Sequence, residues 1–114
     1  MIYLMQINIL GTNYDVFTAS PAEDPKLENG DGYIDTTIKR LVVDDMKNQE
    51  TDPDNKTDLA YYRRQVLRHE IVHAFMFESG LEASCDWASN EEAVDWIAIQ
   101  IPKMAGIMEQ GGLL

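Results

Sequence analysis

The feature that most constrains this chain is a long stretch in which nothing breaks a helix. It starts at Thr57 or Asp58, either of which can cap a helix, and ends at Gly80, the residue type that closes helices in the left-handed conformation. Between Ile71 and Phe77 the stretch is apolar almost all round, which predicts a central helix covered on more than one side. At 114 residues the chain can build one such core, so a single domain over 1–114 is expected.

The cover must come from the rest of the sequence. Residues 2–10 read as a strand, with Gln6 and Asn8 alternating against apolar neighbours. Gly11, Thr12 and Asn13 predict a turn, and 14–18 a returning strand. Residues 33–43 read as one longer strand or a tight hairpin, set between loops at 19–32 and 44–56 that carry Pro21, Pro25, Gly30, Gly32 and Pro53. After a linker over 81–89, a second helix is predicted from about Asn90 to Ile101, stopping at Pro102, with a fraying tail from Met104. Strands first and helices after them predict an α+β fold, a small, mainly antiparallel sheet packed on the long helix.

Twenty acidic against nine basic residues give a net charge of −11, which argues against nucleic acid and anionic membrane as partners. The acids are spread along the chain, as in a solvated surface. A single cysteine, Cys85, permits no internal disulfide, and no apolar run reaches membrane-spanning length. A cytoplasmic protein is expected. Cys85 reads as a structural or half-exposed thiol, and Arg63, Arg64 and Arg68 as partners for surface carboxylates. Residues 29–35 look like the middle of a calcium loop, but Leu27 and Ile38 stand where its end carboxylates would be.

The chain's two histidines, His69 and His73, fall in the pattern His-Glu-x-x-His on the predicted helix. Residues four apart are rotated by only about 40° and separated by about 6 Å of rise, so both imidazoles project from one face and can share a metal. Glu70, about 100° round from His69, cannot readily ligate with them but can reach a water on the metal. The plainer reading is a helix whose histidines hydrogen-bond to nearby carboxylates. Eighteen residues beyond His73, Glu91 and Asp95 stand four apart at the start of the second helix. Acids there also complement a helix N-terminus without any metal.

Taken together, His-Glu-x-x-His followed by Asn-Glu-x-x-x-Asp resembles the gluzincin signature of thermolysin-like metallopeptidases. Residues 68–81 and 90–102, preceded by 32–43, also resemble short metallopeptidases of phage and prophage and, more distantly, ImmA/IrrE-like peptidases. The resemblance covers roughly 32–102. It implies a zincin-like fold in which His69, His73 and Glu91 hold Zn²⁺, Asp95 orients His69, and Glu70 is the general base hydrolysing a peptide or protein substrate. Helical phase agrees in choosing Glu91 over Glu92, since Val94, Ile97, Ala98 and Ile101 must face inward and Glu91 borders that face. A substrate platform is expected on the strand at 38–43, with Ile38, Leu41 and Val43, because an exposed edge can pair with an extended peptide. For the oxyanion, thermolysin-like enzymes use further Tyr and His residues; here Tyr33, Tyr61 and Tyr62 are all open. Two other readings stand beside the peptidase: a non-catalytic zinc protein, and an acidic interaction protein of phage type.

Overall fold

A computed structural model describes residues 1–50 and 56–114. Strands β1 (Ile2–Ile9), β2 (Thr12–Ala19), β3 (Gly32–Asp35) and β4 (Arg40–Asp44) form one sheet in the order β1-β2-β4-β3. They precede α1 (Leu59–Glu78), a single turn α2 (Leu81–Ser84) and α3 (Glu91–Gln110). The fold is α+β.

Two of the three strand pairs are antiparallel, in keeping with the mainly antiparallel sheet expected, and the third makes the sheet mixed. β1–β2 and β3–β4 are antiparallel, but β4 runs parallel to β2. The cause is the intervening segment: residues 20–31, with a 3₁₀ turn at Pro25–Glu28, and then β3 carry the chain back before β4 inserts beside β2. A parallel pair requires a crossover of this kind. The hairpin alternative for 33–43 is the one adopted, and the Asp35 carboxylate accepts the Thr37 N–H at 3.0 Å inside its turn. The first turn lies at Leu10 and Gly11, both with positive φ (50° and 95°), one residue earlier than the turn residues suggest. Of the 44–56 loop, Lys47–Gln49 form a 3₁₀ turn, and Pro53 lies outside the described residues.

α1 starts where Asp58 accepts the Tyr61 N–H at 3.0 Å, and it ends before Gly80 at φ 83°. One face packs on the sheet, with Ala74 against Ile9, Tyr14, Val16 and Leu41. Another packs on α3 and the 3₁₀ turn at Asp86–Ser89 before it, with Val72 and Met76 against Ala88, Val94 and Ala98, and Cys85 half-buried beside them. The apolar collar is not wholly covered, because Phe75 and Phe77 remain exposed; Lys39 lies over the Phe77 ring. At its last turn Glu78 accepts hydrogen bonds from Tyr14 (2.6 Å), Thr12 (2.9 Å) and Lys39 (3.0 Å), tying the helix to both hairpins.

α3 does not stop at Pro102 but continues to Gln110. Proline removes one backbone hydrogen bond, yet Ile97, Ile101, Met104 and Met108 continue a helical spacing across it. Beyond Ala98 that stripe is largely exposed. Among the described residues, no helix is long and apolar enough to cross a membrane.

Candidate metal centre

Two helices and one strand build the site. α1 presents His69 and His73 one turn apart, next to the Val72–Met76 ridge that packs on α3. α3 is started by Asn90, whose side chain accepts the Ala93 N–H at 3.0 Å, and this cap fixes Glu91 in the first turn. The Glu91 carboxylate then lies 2.9 Å from Nε2 of His69 and 3.0 Å from Nε2 of His73, and the two Nε2 atoms are 3.2 Å apart. Asp95, one turn on, meets the other nitrogen of His69, Nδ1, at 3.2 Å. The structure therefore brings His69, His73, Glu91 and Asp95 together, while Glu92 is exposed outside the cluster.

These contacts cannot all be hydrogen bonds between neutral rings. With Asp95 accepting from Nδ1–H, Nε2 of His69 presents a lone pair. Its neighbours are a carboxylate oxygen and the second imidazole. His73 can give its Nε2 proton to Glu91 or to His69 but not to both, so at least one acceptor faces an acceptor. A cation among the three atoms removes the conflict. Ligand atoms about 2.0–2.2 Å from a tetrahedral zinc stand about 3.3 Å apart, close to the separations seen here. Two imidazoles, one carboxylate and a carboxylate behind the first histidine also suit zinc chemically. The donor set fits the ion.

Glu70 faces the same cleft. Its side chain is only 7% exposed and accepts no hydrogen bond from any described residue. Burial lifts its carboxyl to about 7; the His69 charge pulls against that rise and the Glu91 charge adds to it. Burial also pushes Glu91 up, but the neighbouring His73 and His69 outweigh it and hold that carboxyl below its usual range. The position of Glu70 depends on Gly32 at the start of β3. A Cβ on Gly32 would lie 2.8 Å from Val66 Cγ1 and 3.4 Å from Glu70 Cγ, so only glycine lets α1 approach β3 this closely.

The expected platform is corrected. β4 is paired on both sides, by β2 and β3, and has no free edge. Leu41 and Val43 are buried in the core, and Ile38 lies exposed in the β3–β4 turn. The edge strand beside the metal donors is β3, whose Gly32, Tyr33 and Ile34 line a cleft of about 640 Å³ with His69, Glu70 and His73. Sequence could not reveal this, because strand order rests on the parallel β2–β4 pairing. Of the three open tyrosines, Tyr33 commits its hydroxyl to Asp24, and Tyr61 does not line the cleft. Tyr62 lines it and donates to Asp31 at 2.5 Å. The arginines do not find the carboxylates expected of them. Among the described residues Arg63, Arg64 and Arg68 make no ion pair; Arg64 stacks on Tyr61, and Arg68 lines an apolar groove between α1 and α3 with its Nε buried and unbonded. Compared with known proteins, the chain matches no family model, no curated protein and no solved structure.

Proposed function

We propose that this chain is a zinc-dependent peptidase with a small zincin-like architecture. The observation that carries the reading is the convergence of His69, His73 and Glu91 on one point beside Glu70, a buried carboxylate with no hydrogen-bond partner among the described residues. Burial makes the charge on Glu70 costly while leaving its carboxylate open to the cleft, and such costs are retained where the group has work to do. In this reading His69, His73 and Glu91 hold the ion, and Asp95 fixes the tautomer of His69. When bound, zinc supplies Lewis acidity, acidifying a water and polarising a carbonyl. Glu70 accepts the proton of the attacking water and delivers it to the departing amine nitrogen. β3, the free edge of the sheet, orients an extended peptide alongside. Val66 and Gly32 pack behind Glu70 and keep bulk solvent from its back.

The test is Glu70→Gln in zinc-loaded protein. It should keep about one equivalent of zinc, measured by metal analysis, and lose cleavage of an unstructured protein such as casein. Zinc retained with no cleavage by the wild type either would mark the site as structural. Equal turnover by wild type and variant would sink the mechanism.

A further inference from the structure

The cleft carries five carboxylates, from Asp31, Glu70, Glu82, Glu91 and Asp95, and not one of the chain's nine lysines and arginines. Of the basic side chains around it, Lys26 pairs with Asp35 and Lys39 with Glu78, while Lys56 lies over the ring of Tyr62, 4.1 Å from its centroid. A divalent ion offsets two negative charges. Glu70, Glu91 and Asp95 are absorbed by the proposed chemistry; Asp31 and Glu82 are not. Asp31 adjoins Tyr62, whose hydroxyl also feels the charge of Asp95, while Glu82 acts on Tyr14, which is bonded to Glu78.

Asp31 is the better placed of the two. Its carboxylate is held by the Tyr62 hydroxyl at 2.5 Å and the Gln49 amide at 3.2 Å, both neutral donors, so its orientation is fixed while it makes no ion pair with a described residue; Lys56 stays on the Tyr62 ring. A carboxylate has about four acceptor sites, and these two contacts leave room for a bidentate cation. Its residue immediately precedes β3, the edge along which an extended chain would run. The cleft is independently marked as a ligand site by Glu70, more than nine-tenths buried, unbonded and facing into it.

We propose that the cleft selects peptides with a basic side chain, arginine or lysine, next to the scissile bond, and that Asp31 is the residue that receives it. The inference rests on the peptidase reading for the location of the scissile bond. A charge-assisted contact of this kind, desolvated on one side, corresponds to a preference of about tenfold or more over a neutral isostere.

The probes are short alanine peptides with arginine scanned through each position, each matched by a citrulline peptide of the same shape without the charge. Cleavage is measured with zinc-loaded wild type, and binding by fluorescence anisotropy with zinc-loaded Glu70→Gln. At one position arginine should exceed citrulline by about tenfold in both measurements. Asp31→Asn should abolish that ratio, and Asp31→Glu should restore much of it. Equal treatment of the two peptides by wild type, or a ratio that survives in Asp31→Asn, overturns the proposal and leaves the peptidase standing. Preferential binding with no cleavage by wild type removes the peptidase and keeps the cationic ligand. Should Asp31→Asn melt below the assay temperature, a glutamate peptide decides on wild type: it must bind worse than citrulline, and equal binding refutes the assignment.

Discussion

Glu70 and Glu78 are the same residue type eight positions apart on α1, and they live in opposite circumstances. Glu78 accepts three hydrogen bonds, one of them from a lysine, and these hold its carboxyl below the usual range. Glu70 is more deeply covered, accepts none from a described residue, and is pushed up by burial. One carboxylate ends the helix by tying it to two hairpins. The other is held against glycine and valine next to the converging His69, His73 and Glu91, a group that could hold a metal. A carboxylate surrounded by donors serves the fold, whereas one denied them is available to a ligand or a proton.

The contrast can be broken at either end of the helix. The largest effect should come from Glu91→Ala, which removes one of three converging donors: the variant should give up zinc to a competing chelator almost completely, while Glu92→Ala should hold it like the parent. Loss from Glu92→Ala instead would mean that α3 presents a different face. Next is Glu70→Gln, expected to cut kcat by roughly 10²–10⁴ while melting no lower than wild type in the metal-free form, because an unbonded buried acid contributes nothing to stability. A clear drop in melting temperature would show Glu70 to be a structural group like Glu78. Asp95→Asn should weaken zinc by about 10–100-fold in a chelator titration and leave the circular dichroism spectrum intact. Unchanged affinity would reduce Asp95 to a surface acid.

The smallest effect belongs to Glu78→Gln, which should lower the melting temperature by a few degrees and leave zinc affinity alone. Its pH dependence has a definite sign. The folded carboxyl titrates below its unfolded value of about 4.3, so its bonds stabilise fully above that pH and fade as pH falls through the lower, folded value. Melting curves of wild type and variant should therefore differ at neutral pH and converge in acid. A constant gap at all pH values would assign the loss to packing.

Much of this contrast was legible in the residues. The unbroken run before Gly80 and the Asp58 cap mark α1, and the four-residue spacing of His69 and His73 puts both rings on one face whatever the rest of the chain does. The phase of Val94 and Ala98 likewise sets Glu91 at the border of the buried face, because it depends only on helix geometry. What could not be read was order in space. Nothing local distinguishes β4, with two neighbours, from β3, with one, so the platform was assigned to a strand whose Leu41 and Val43 are sealed in the core. Glu78 gave no signal either, since its partners Thr12, Tyr14 and Lys39 lie far away in sequence. Pro102 misled for a different reason: a proline removes only one backbone hydrogen bond from a helix, and α3 continues past it to Gln110.

That proline has a mechanical meaning. α3 is a rod about 30 Å long, clamped near one end where Val94 and Ala98 press on α1, with Glu91 and Asp95 at the clamped tip and the exposed turns through Met108 as a free arm. A stiff rod would transmit every tug on its arm through the fulcrum to the tip. Pro102, just outside the clamp, lacks the N–H that would brace it to the turn before, so the rod is weakest there. Flexure of the arm collects at that joint and is spent before it reaches the carboxylates.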